Sequence, residues 1–461
     1  MSARRSPVLR ASLTGLAVVL TLAVAPLLRA TGTPPIALAA ASTNAPVTPG
    51  NFEGYGFDQC TAPSQAAMDK WLNHSPYLAV GIYISGNSRG CRSQPNLTPS
   101  WVQTQLTKGW KLLPITMGPQ ASCNPRYPRY NDDPKIIANK GAKQNYAAAR
   151  RQGQAEAQKT VQAAGALGIV KGSTLWYDLE SFDIGNTACR ESALAFLSAY
   201  DRQLHLLGYV SGVYSSAGSG IVMLDDARRT RPNAFVLPDR IWIARWDNEA
   251  NTSTTYISNA GWTPGGRVKQ YEGGHNETYG GVTIDVDKDF LDLGRGNYAT
   301  PQRPCGGISL DFTTYPDLTP QTATKQHPAL VKAVQCMLHA RGDYSGPVDG
   351  RYTQATVAGM HKWKAAHGFT TADNGVIGPR TWAAFLSAGK TQVLKTGSTG
   401  LAVYRLQRAY NAVFPLRKLP VTGIYNSATR AVTVTYQKKM HQAATGIAGS
   451  ATWQKLRRGT I

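Results

Sequence analysis

Acidic residues stand at the ends of short apolar stretches that lie far apart in the chain. Asp58 ends the first such stretch, Asp178 and Glu180 end the fourth, and Asp285 and Asp287 end the eighth. Cleavage of a glycosidic bond needs one carboxylic acid to protonate the leaving oxygen and one carboxylate as base, nucleophile or electrostatic support. These acids are therefore candidates for glycan chemistry.

The segment 175–180 shows how two of these acids would be presented. Strand alternation places Asp178 and Glu180 on the same face as Trp176, while the two leucines and the tyrosine between them face the other way. Crowding of carboxylates raises the pKa of one of them and keeps an acid protonated near neutral pH. A single Asp-x-Glu pair is as readily a salt-bridged strand end, so the prediction depends on acids from other strands meeting it.

Three aromatic residues also fall at predicted strand ends: Tyr83, Trp246 and Tyr271. Flat rings at such positions can stack on sugar rings, although packing in the upper layer of a barrel is an equally good explanation.

Histidine and cysteine spacing favours neither a metal site nor a cofactor. The eight histidines include no H-E-x-x-H pair, and none of the six cysteines lies in a C-x-x-C pair. An even number of cysteines in an exported chain suggests disulfides, with buried free thiols as the alternative. Of the 15 possible pairings, we expect Cys305 with Cys336.

Eight apolar segments alternate with helical patterns between Gly54 and Leu293, which is typical of βα units. Eight parallel strands with helices over about 240 residues predict an α/β fold, a closed (β/α)8 barrel of the TIM type, over residues 52–296. Strands one and eight are neighbours in such a barrel, so the acids at strands one, four and eight would meet at one mouth. A doubly wound open sheet is the rival, but no G-x-G-x-x-G follows the first strand.

The C-terminal part of the chain contains a repeat. Gly350-Arg-Tyr-Thr-Gln-Ala-Thr recurs as Gly423-Ile-Tyr-Asn-Ser-Ala-Thr, and Thr381-Trp382 recurs as Thr452-Trp453. The copies, 325–389 and 393–459, each carry three helical patterns, so we predict two small all-α three-helix domains after a linker at 297–324. Units of this size lack room for a deep catalytic cleft, which favours binding.

The first 41 residues have the order of a secretory signal peptide. Arg4, Arg5 and Arg10 precede an apolar run from Ala11 to Leu28, and small residues follow at 37–41. We expect export, with no membrane association after cleavage. A retained N-terminal anchor is the alternative, because about 18 apolar residues is near the spanning minimum.

The positive charge is concentrated in the repeats. Residues 325–461 carry 19 Lys and Arg against three Asp, a net charge of +16 out of +22 for the whole chain. A dense positive surface attracts polyanions, which outside a cell are anionic wall polymers and acidic peptide stems rather than nucleic acid. The alternative is a basic surface that is simply solvated.

The segments around these acids and aromatics resemble a known family. The glycoside hydrolase family 25 lysozyme pattern is similar to Gly56-Phe57-Asp58, Tyr177-Asp178-Leu179-Glu180, Ile241-Trp242-Ile243-Ala244-Arg245-Trp246, Lys269-Gln270-Tyr271 and Ile284-Asp285-Val286-Asp287. More closely, residues 54–293 resemble the glycoside-hydrolase-like domain of exported actinobacterial proteins. Residues 325–458 resemble paired peptidoglycan-binding domains of the type-1 three-helix family.

The resemblance implies N-acetylmuramidase chemistry on peptidoglycan by a secreted, wall-associated protein that needs no cofactor. Glu180 would be the proton donor, and Asp178 a base or a stabiliser of an oxazolinium-like intermediate. Asp58 and Asp285 would position the sugar and its N-acetyl group. The predicted substrate-binding residues are Tyr83, Trp246, Gln270, Tyr271 and Asp287.

Two departures from the family pattern keep other functions open. The insertion from Ser122 to Gln144 would overhang the mouth, and Asp287 stands where the lysozyme family more often has asparagine. A barrel that binds wall glycan without cleaving it is therefore the alternative function, and an enzyme acting on another glycan is a third.

Overall fold

The computed structural model describes residues 45–294, 302, 304–372 and 375–461. The predicted signal peptide at 1–41 and part of the predicted linker lie outside the described residues. Within the described ranges, no helix combines the length and the apolar character needed to cross a membrane.

Eight strands close into a barrel in sequential order. They are β1 Glu53–Asp58, β2 Ala79–Ser85, β3 Lys111–Thr116, β4 Thr174–Asp178, β5 Val210–Ser216, β6 Arg240–Ala244, β7 Arg267–Tyr279 and β8 Val282–Asp292. The helices after the first five strands are α1 Gln65–His74, α2 Pro99–Lys108, α3 Ala147–Ala166, α4 Thr187–Leu207 and α5 Val222–Thr230, the last preceded by a π-helical turn at Ala217–Ile221. The predicted α/β barrel is confirmed.

The prediction of eight parallel strands is wrong for β8. Strands β1 to β7 run parallel, but β8 pairs antiparallel with both β7 and β1. The physical reason is the connection: only Gly280 and Gly281 join β7 to β8, and both have positive φ, 61° and 80°. A two-residue Gly-Gly turn makes a hairpin, whereas a parallel return needs a crossover of a dozen residues or more.

This reversal changes which part of β8 lies at the mouth. Asp287 pairs with Asp58 at the end of β1, and Asp289 pairs with Gly56 one step deeper in the barrel. Asp285 pairs with Asn276 on the part of the β7–β8 hairpin that extends past β1. The mouth therefore meets β8 in the first half of that strand, around Asp287.

The barrel interior is filled by large apolar side chains. Trp176 of β4 and Trp242 of β6 meet edge to face, with ring centroids 5.5 Å apart, and both are buried. Gly212 on β5, between these strands, leaves room for the indole, because a Cβ there would lie 2.3 Å from the Trp176 ring. The interior is a packed core, so substrates are restricted to its mouth.

Three of the helices that surround the barrel begin after an N-cap residue with a short polar side chain. The side chains of Ser64, Thr98 and Asn186 accept hydrogen bonds from the first-turn amides of α1, α2 and α4. Such caps satisfy amides that have no partner inside the helix, and each contributes about 1 kcal/mol. They fix where each βα connection ends and thus where the loops of the mouth begin.

Residues 323–461 form the predicted three-helix repeats. After a one-turn helix α6 Ala323–Gln326, the first repeat has α7 Pro328–His339, α8 Gln354–Ala366 and α9 Pro379–Ser387, and the second has α10 Leu401–Val413, α11 Ser427–Lys439 and α12 Ser450–Arg457. A buried glutamine holds the central loop in each: Gln335 Oε1 accepts from the Gly350 amide, and Gln407 Oε1 accepts from the Gly423 amide. The internal repeat of the sequence is thus a structural repeat.

The second repeat contacts the barrel at the side of α1. Lys395, between the two repeats' helices, is 1% exposed. Its Nζ donates to the carbonyl oxygens of Ser75 at 2.9 Å and Tyr77 at 2.8 Å, just beyond the end of α1. The same Nζ lies 5.4 Å from the centroid of the Trp110 ring. A buried polar contact therefore joins the repeats to the barrel.

All six cysteines are paired. The disulfides are Cys60–Cys91, Cys123–Cys189 and Cys305–Cys336, so the expected third pairing is confirmed. The first joins the loops after β1 and β2, the second joins the insertion after β3 to the first turn of α4, and the third connects the segment after the barrel to α7.

Candidate active site at the barrel mouth

Carboxylates from three strands surround one small cavity at the mouth of the barrel. Asp58 at the end of β1, Glu180 two residues past β4 and Asp287 of β8 line a cavity of about 160 Å³. Asp178, the last residue of β4, is 1% exposed and accepts a hydrogen bond from the hydroxyl of Tyr83, which also lines the cavity. The structure thus brings together four of the five acids singled out from the sequence.

Gln120 fixes the segment that carries Asp178 and Glu180. Its Nε2 donates to the main-chain oxygen of Asp178 at 2.8 Å, and its Oε1 accepts from the amide of Glu180 at 2.9 Å. The paired part of β3 ends at Thr116, opposite Tyr177, so the glutamine side chain replaces the missing strand neighbour. Sequence reasoning missed Gln120, because nothing in the pattern of the loop after β3 marks it.

Gln270 performs a similar task on the opposite wall. Its Nε2 donates to Asp58 at 2.9 Å and to Asp287 at 3.3 Å, while its Oε1 accepts from the Tyr214 hydroxyl and the Trp246 indole. The side chain is 2% exposed and all four of its hydrogen-bonding positions are used. Substrate binding by Gln270 stays a prediction; in the structure its side chain positions the two carboxylates.

Asp58 shares a buried contact with a second acid, Asp289. The two carboxyl groups are close enough to act on each other's ionisation, and Asp289 accepts a hydrogen bond from the Trp242 indole at 2.8 Å. Burial, and then Asp287, raise the pKa of Asp58 to about 8. Burial, and then Asp58, raise the pKa of Asp289 well above its usual range. An acid with a pKa of about 8 is mostly protonated at neutral pH, so Asp58 and Asp289 do not both carry a charge there.

Two further acids of the mouth, Asp178 and Asp287, also have raised pKa values. Burial, and then the charge of Glu180, raise the pKa of Asp178 well above its usual range, against the hydrogen bond from Tyr83. Burial, and then Asp285, raise the pKa of Asp287 to about 6. The cluster therefore carries fewer negative charges than it has carboxyl groups.

Asp285 does not line the cavity, contrary to the sequence prediction that it positions the sugar. It is exposed, and it lies on the extension of the β7–β8 hairpin. The prediction assumed that Asp285 and Asp287 end a parallel strand, whereas β8 enters the barrel from the mouth and reaches Asp58 only at Asp287. Asp289, one step further in, was overlooked for the same reason.

The three predicted aromatics have different environments. Trp246 is 64% exposed beside Gln270, so one face of its ring is open to solvent, and Tyr83 borders the cavity. Tyr271 is buried, and its ring lies 6.0 Å from Nζ of Lys288, which pairs with Glu272 and Glu277 on the outer face of the hairpin. Tyr271 does not line the cavity, because alternation along β7 turns Gln270 inwards and Tyr271 outwards. Its contact with substrate stays a prediction.

The insertion after β3 overhangs the mouth, as its length suggests. Arg129 from this insertion lines the cavity together with Gly90 of the loop after β2 and the Cys60–Cys91 disulfide, which joins that loop to the one after β1. Ion pairs from Arg92 to Asp132 and Asp133 hold the two loops together. The rim of the mouth on this side is therefore a cross-linked structure.

Within the described ranges, no group of three or more histidine, cysteine, aspartate or glutamate side chains is arranged to hold a metal ion. The cavity walls supply carboxyl groups, an arginine and a tyrosine hydroxyl, which are groups that donate and accept protons and bind polar ligands.

Residues 69–291 match the model of the Rv2525c-like, glycoside hydrolase-like domain, and residues 327–385 and 399–456 match that of the peptidoglycan binding domain. Comparison with curated proteins gives no match.

Solved structures with a similar barrel come from several bacteria. The Tat-secreted protein Rv2525c of Mycobacterium tuberculosis, in complex with HEPES, is 12% identical, with 52% of this chain and 96% of that chain covered and a TM-score of 0.34. An uncharacterised B. stearothermophilus protein is 17% identical over 52% and 95%, with a TM-score of 0.32. A family 25 glycosyl hydrolase from Bacillus anthracis is 13% identical over 52% and 89%, with a TM-score of 0.31.

At these identities and TM-scores the likeness to solved structures says nothing about activity. The family models carry the assignment. By these matches, the chain carries a glycoside hydrolase-like domain of the Rv2525c-like family, followed by two peptidoglycan binding domains.

Proposed function

We propose that this protein is a secreted cell-wall glycan hydrolase, an N-acetylmuramidase that cleaves β-1,4 bonds of peptidoglycan. The observation that carries the proposal is the meeting of Asp58, Glu180 and Asp287 around one cavity, with Asp178 beside it. Hydrolysis of a glycoside needs a proton donor and a second carboxyl group on the other side of the bond. The mouth supplies both from different strands.

Glu180 is the proton donor in this proposal. It lines the cavity, is only partly buried, and its backbone is fixed by Gln120. It would protonate the glycosidic oxygen as the bond to C1 breaks, and would take a proton back from the water that completes hydrolysis.

Asp178 acts as a base or as a stabiliser of an oxazolinium-like intermediate. Its Oδ2 is held by the Tyr83 hydroxyl at 3.1 Å, and its buried Oδ1 has no partner among the described residues. An unpartnered buried oxygen is costly unless a ligand meets it, and the N–H of an N-acetyl group is a suitable donor. Asp58 and Asp287 position the sugar, so Asp287 has the role that was expected of Asp285.

The repeats hold the barrel on an insoluble substrate. They match peptidoglycan binding domains and carry a net charge of +16 over residues 325–461, which also suits anionic wall polymers. Tethering raises the effective concentration of the barrel near the glycan, so a modest affinity per repeat is sufficient. A secreted, wall-associated protein follows from this arrangement and from its three disulfides.

The test is release of new reducing ends from purified peptidoglycan by the mature chain. Wild type should release ends that carry N-acetylmuramic acid, and Glu180→Gln should lose at least about 100-fold of the rate, because general acid catalysis contributes 10²–10⁴-fold. Glu249→Gln, at an exposed glutamate of the loop after β6, is the matched control. Equal release by wild type and Glu180→Gln would remove Glu180 from the mechanism.

A second candidate is a barrel that binds wall glycan without cleaving it. The small cavity favours it, since about 160 Å³ is below the roughly 300–1,000 Å³ usual for ligand sites. In that case wild type would release no reducing ends from any wall preparation, while soluble wall glycan fragments would still bind the mouth and lose affinity on mutation of Trp246.

A further inference from the structure

A single arginine faces the acids of the mouth. Arg129 belongs to the insertion between β3 and α3 and lines the same cavity as Asp58, Glu180 and Asp287. It is close enough to Asp178 to act on it electrostatically. A cation on the wall of an acidic cavity either balances those acids or binds something that enters the cavity, and the contacts of Arg129 distinguish between these uses.

The guanidinium is held in place without an acidic partner. Nη2 donates to the Tyr127 hydroxyl at 2.7 Å, and the Arg129 guanidinium carbon lies 5.1 Å from the centroid of the Tyr127 ring. The backbone of Gly90 packs against it, because a Cβ there would lie 2.7 Å from Nη1. Among the described residues no carboxylate oxygen lies within 4.0 Å of this guanidinium, and its other N–H groups have no protein acceptor.

The neighbouring arginine shows that acids for pairing are available in this loop. Arg92 pairs with Asp132 and Asp133 at 2.8 and 2.9 Å. The second oxygen of Asp133 accepts hydrogen bonds from the main-chain amides of Arg129 and Tyr130, at 2.6 and 2.9 Å, and not from the Arg129 side chain. The acid next to Arg129 therefore fixes its backbone and leaves its side chain free.

The acids that line the cavity with Arg129, which are Asp58, Glu180 and Asp287, form no ion pair with its guanidinium within 4.0 Å. Burial also raises the pKa of Asp58 and Asp178, which lowers the negative charge that Arg129 faces. The guanidinium is thus available to pair with an anion that enters the cavity. Arginine suits a planar carboxylate, since its parallel N–H groups can bind both oxygens.

We propose that Arg129 is a specificity-determining residue that binds a carboxylate carried by the glycan, so that the barrel selects acidic over neutral β-1,4-linked N-acetylhexosamine chains. The inference rests on the proposed function for the nature of the glycan. Two carboxylates have this chemistry: the lactyl carboxylate of a muramyl residue without its peptide, and the carboxylate of an attached peptide stem. If the first is bound, the barrel follows an amide hydrolysis that removes the peptide.

The test measures binding in the Glu180→Gln background, where no turnover can interfere. The probes are the N-acetylglucosaminyl–N-acetylmuramic acid disaccharide, its lactyl methylamide, the same disaccharide bearing an L-alanyl-D-glutamate dipeptide, and chitotetraose. Titration calorimetry compares the parent with Arg129→Gln, Arg129→Lys and Arg126→Gln. Arg126 is an exposed arginine of the same insertion, so its variant removes the same charge without touching the cavity.

The free acid should bind the parent about 10- to 100-fold more tightly than its methylamide, as expected for a charge-assisted hydrogen bond. Arg129→Gln should abolish that preference, Arg129→Lys should keep part of it, and Arg126→Gln should leave it intact. Tight binding of the dipeptide conjugate would identify the stem as the source of the carboxylate, and weak binding would identify the lactyl group.

Equal affinities of the parent for the acid, the methylamide and the dipeptide conjugate would overturn the proposal, as would a preference that survives Arg129→Gln. Thermal unfolding of Arg129→Gln shows whether the insertion stays folded, and Arg129→Lys keeps the test valid if it does not. These affinities are measured without catalysis. If the parent prefers the acid but wild type hydrolyses no peptidoglycan, the proposed activity is wrong and the role of Arg129 in binding stands.

Discussion

Asp58 and Asp287 lie opposite each other on antiparallel strands β1 and β8, and a single nitrogen, Nε2 of Gln270, donates to both carboxyl groups. One amide nitrogen cannot balance two buried negative charges. The two acids, together with Asp289 beneath them, are therefore stable side by side only while protons remain bound. The fold and the ionisation of the mouth are linked through this arrangement.

The first prediction concerns pH and stability. The pKa of Asp58 is raised from 3.8 to about 8, so between these values the folded state binds a proton that the unfolded chain has released. The contribution of Asp58 to the free energy of unfolding is therefore fully present below about pH 4, and it is lost as the pH rises to about 8. Asp287, whose pKa is raised to about 6, and Asp178 and Asp289 act in the same direction.

Asp58→Asn removes this dependence at one site. The measurement is the free energy of unfolding in urea at pH 5 and at pH 8. Between these pH values, wild type should lose about 2 to 4 kcal/mol more than Asp58→Asn, at about 1.4 kcal/mol per pKa unit. The control is Asp317→Asn, at an exposed aspartate before α6, whose free energy of unfolding should change with pH as that of wild type does. Parallel curves for Asp58→Asn would mean that Asp58 is ionised in the folded protein at pH 5.

The second prediction concerns Gln120, which holds the main chain of Asp178 and Glu180. Gln120→Ala should lower kcat on peptidoglycan by about 10- to 100-fold with little change in KM, because small displacements of a catalytic group slow the chemical step. Loss of two buried hydrogen bonds should also lower the free energy of unfolding by about 2 to 3 kcal/mol.

Gln152→Ala is the control for that variant. Gln152 also bridges main-chain groups of the insertion, donating to Lys135 O and accepting from the Ile137 amide, but it does not touch β4. It should lose stability without the loss of kcat. A proportional loss of kcat in both variants would show that general loosening of the insertion, rather than the position of Glu180, controls the rate.

The sequence predicted the barrel well because its signals are local. Each strand is an apolar run between turn residues, and the repeats are visible as recurring letters. The direction of β8 depended on two glycines, Gly280 and Gly281, whose hairpin signal was overlooked, and that error moved the assignment from Asp287 to Asp285. Gln120 and Asp289 could not be found from local pattern, because their importance comes from partners more than 40 residues away.

The third prediction separates the two aromatics whose environments differ. Trp246→Ala should weaken binding of soluble wall glycan fragments by about 10-fold, as expected for loss of one exposed stacking face. Trp246→Phe should recover part of this affinity, since it keeps a ring but loses the hydrogen bond to Gln270. Tyr271→Phe should bind like wild type, because that ring lies on the outer face. An equal loss for Tyr271→Phe and Trp246→Ala would contradict the orientation of β7.

The fourth prediction concerns the contact between the repeats and the barrel. Lys395→Met keeps the length of the side chain but removes the donors to the carbonyl oxygens of Ser75 and Tyr77. These oxygens stay buried without that partner, so the free energy of unfolding should fall by about 2 to 4 kcal/mol. Hydrogen exchange should rise in residues 71–78 and 394–399, where the two parts meet, and stay unchanged at the mouth.

The matched control is Lys390→Met, at an exposed lysine of the same connecting segment. It removes a lysine of the same region whose ammonium group has no hydrogen bond to α1 among the described residues, and surface substitutions of this kind usually change stability by less than about 0.5 kcal/mol. If both variants unfold alike and exchange alike, the Lys395 contact contributes nothing to holding the parts together. If only Lys395→Met loosens residues 71–78 while hydrolysis of soluble fragments is unchanged, the contact orients the barrel on the wall without affecting its chemistry.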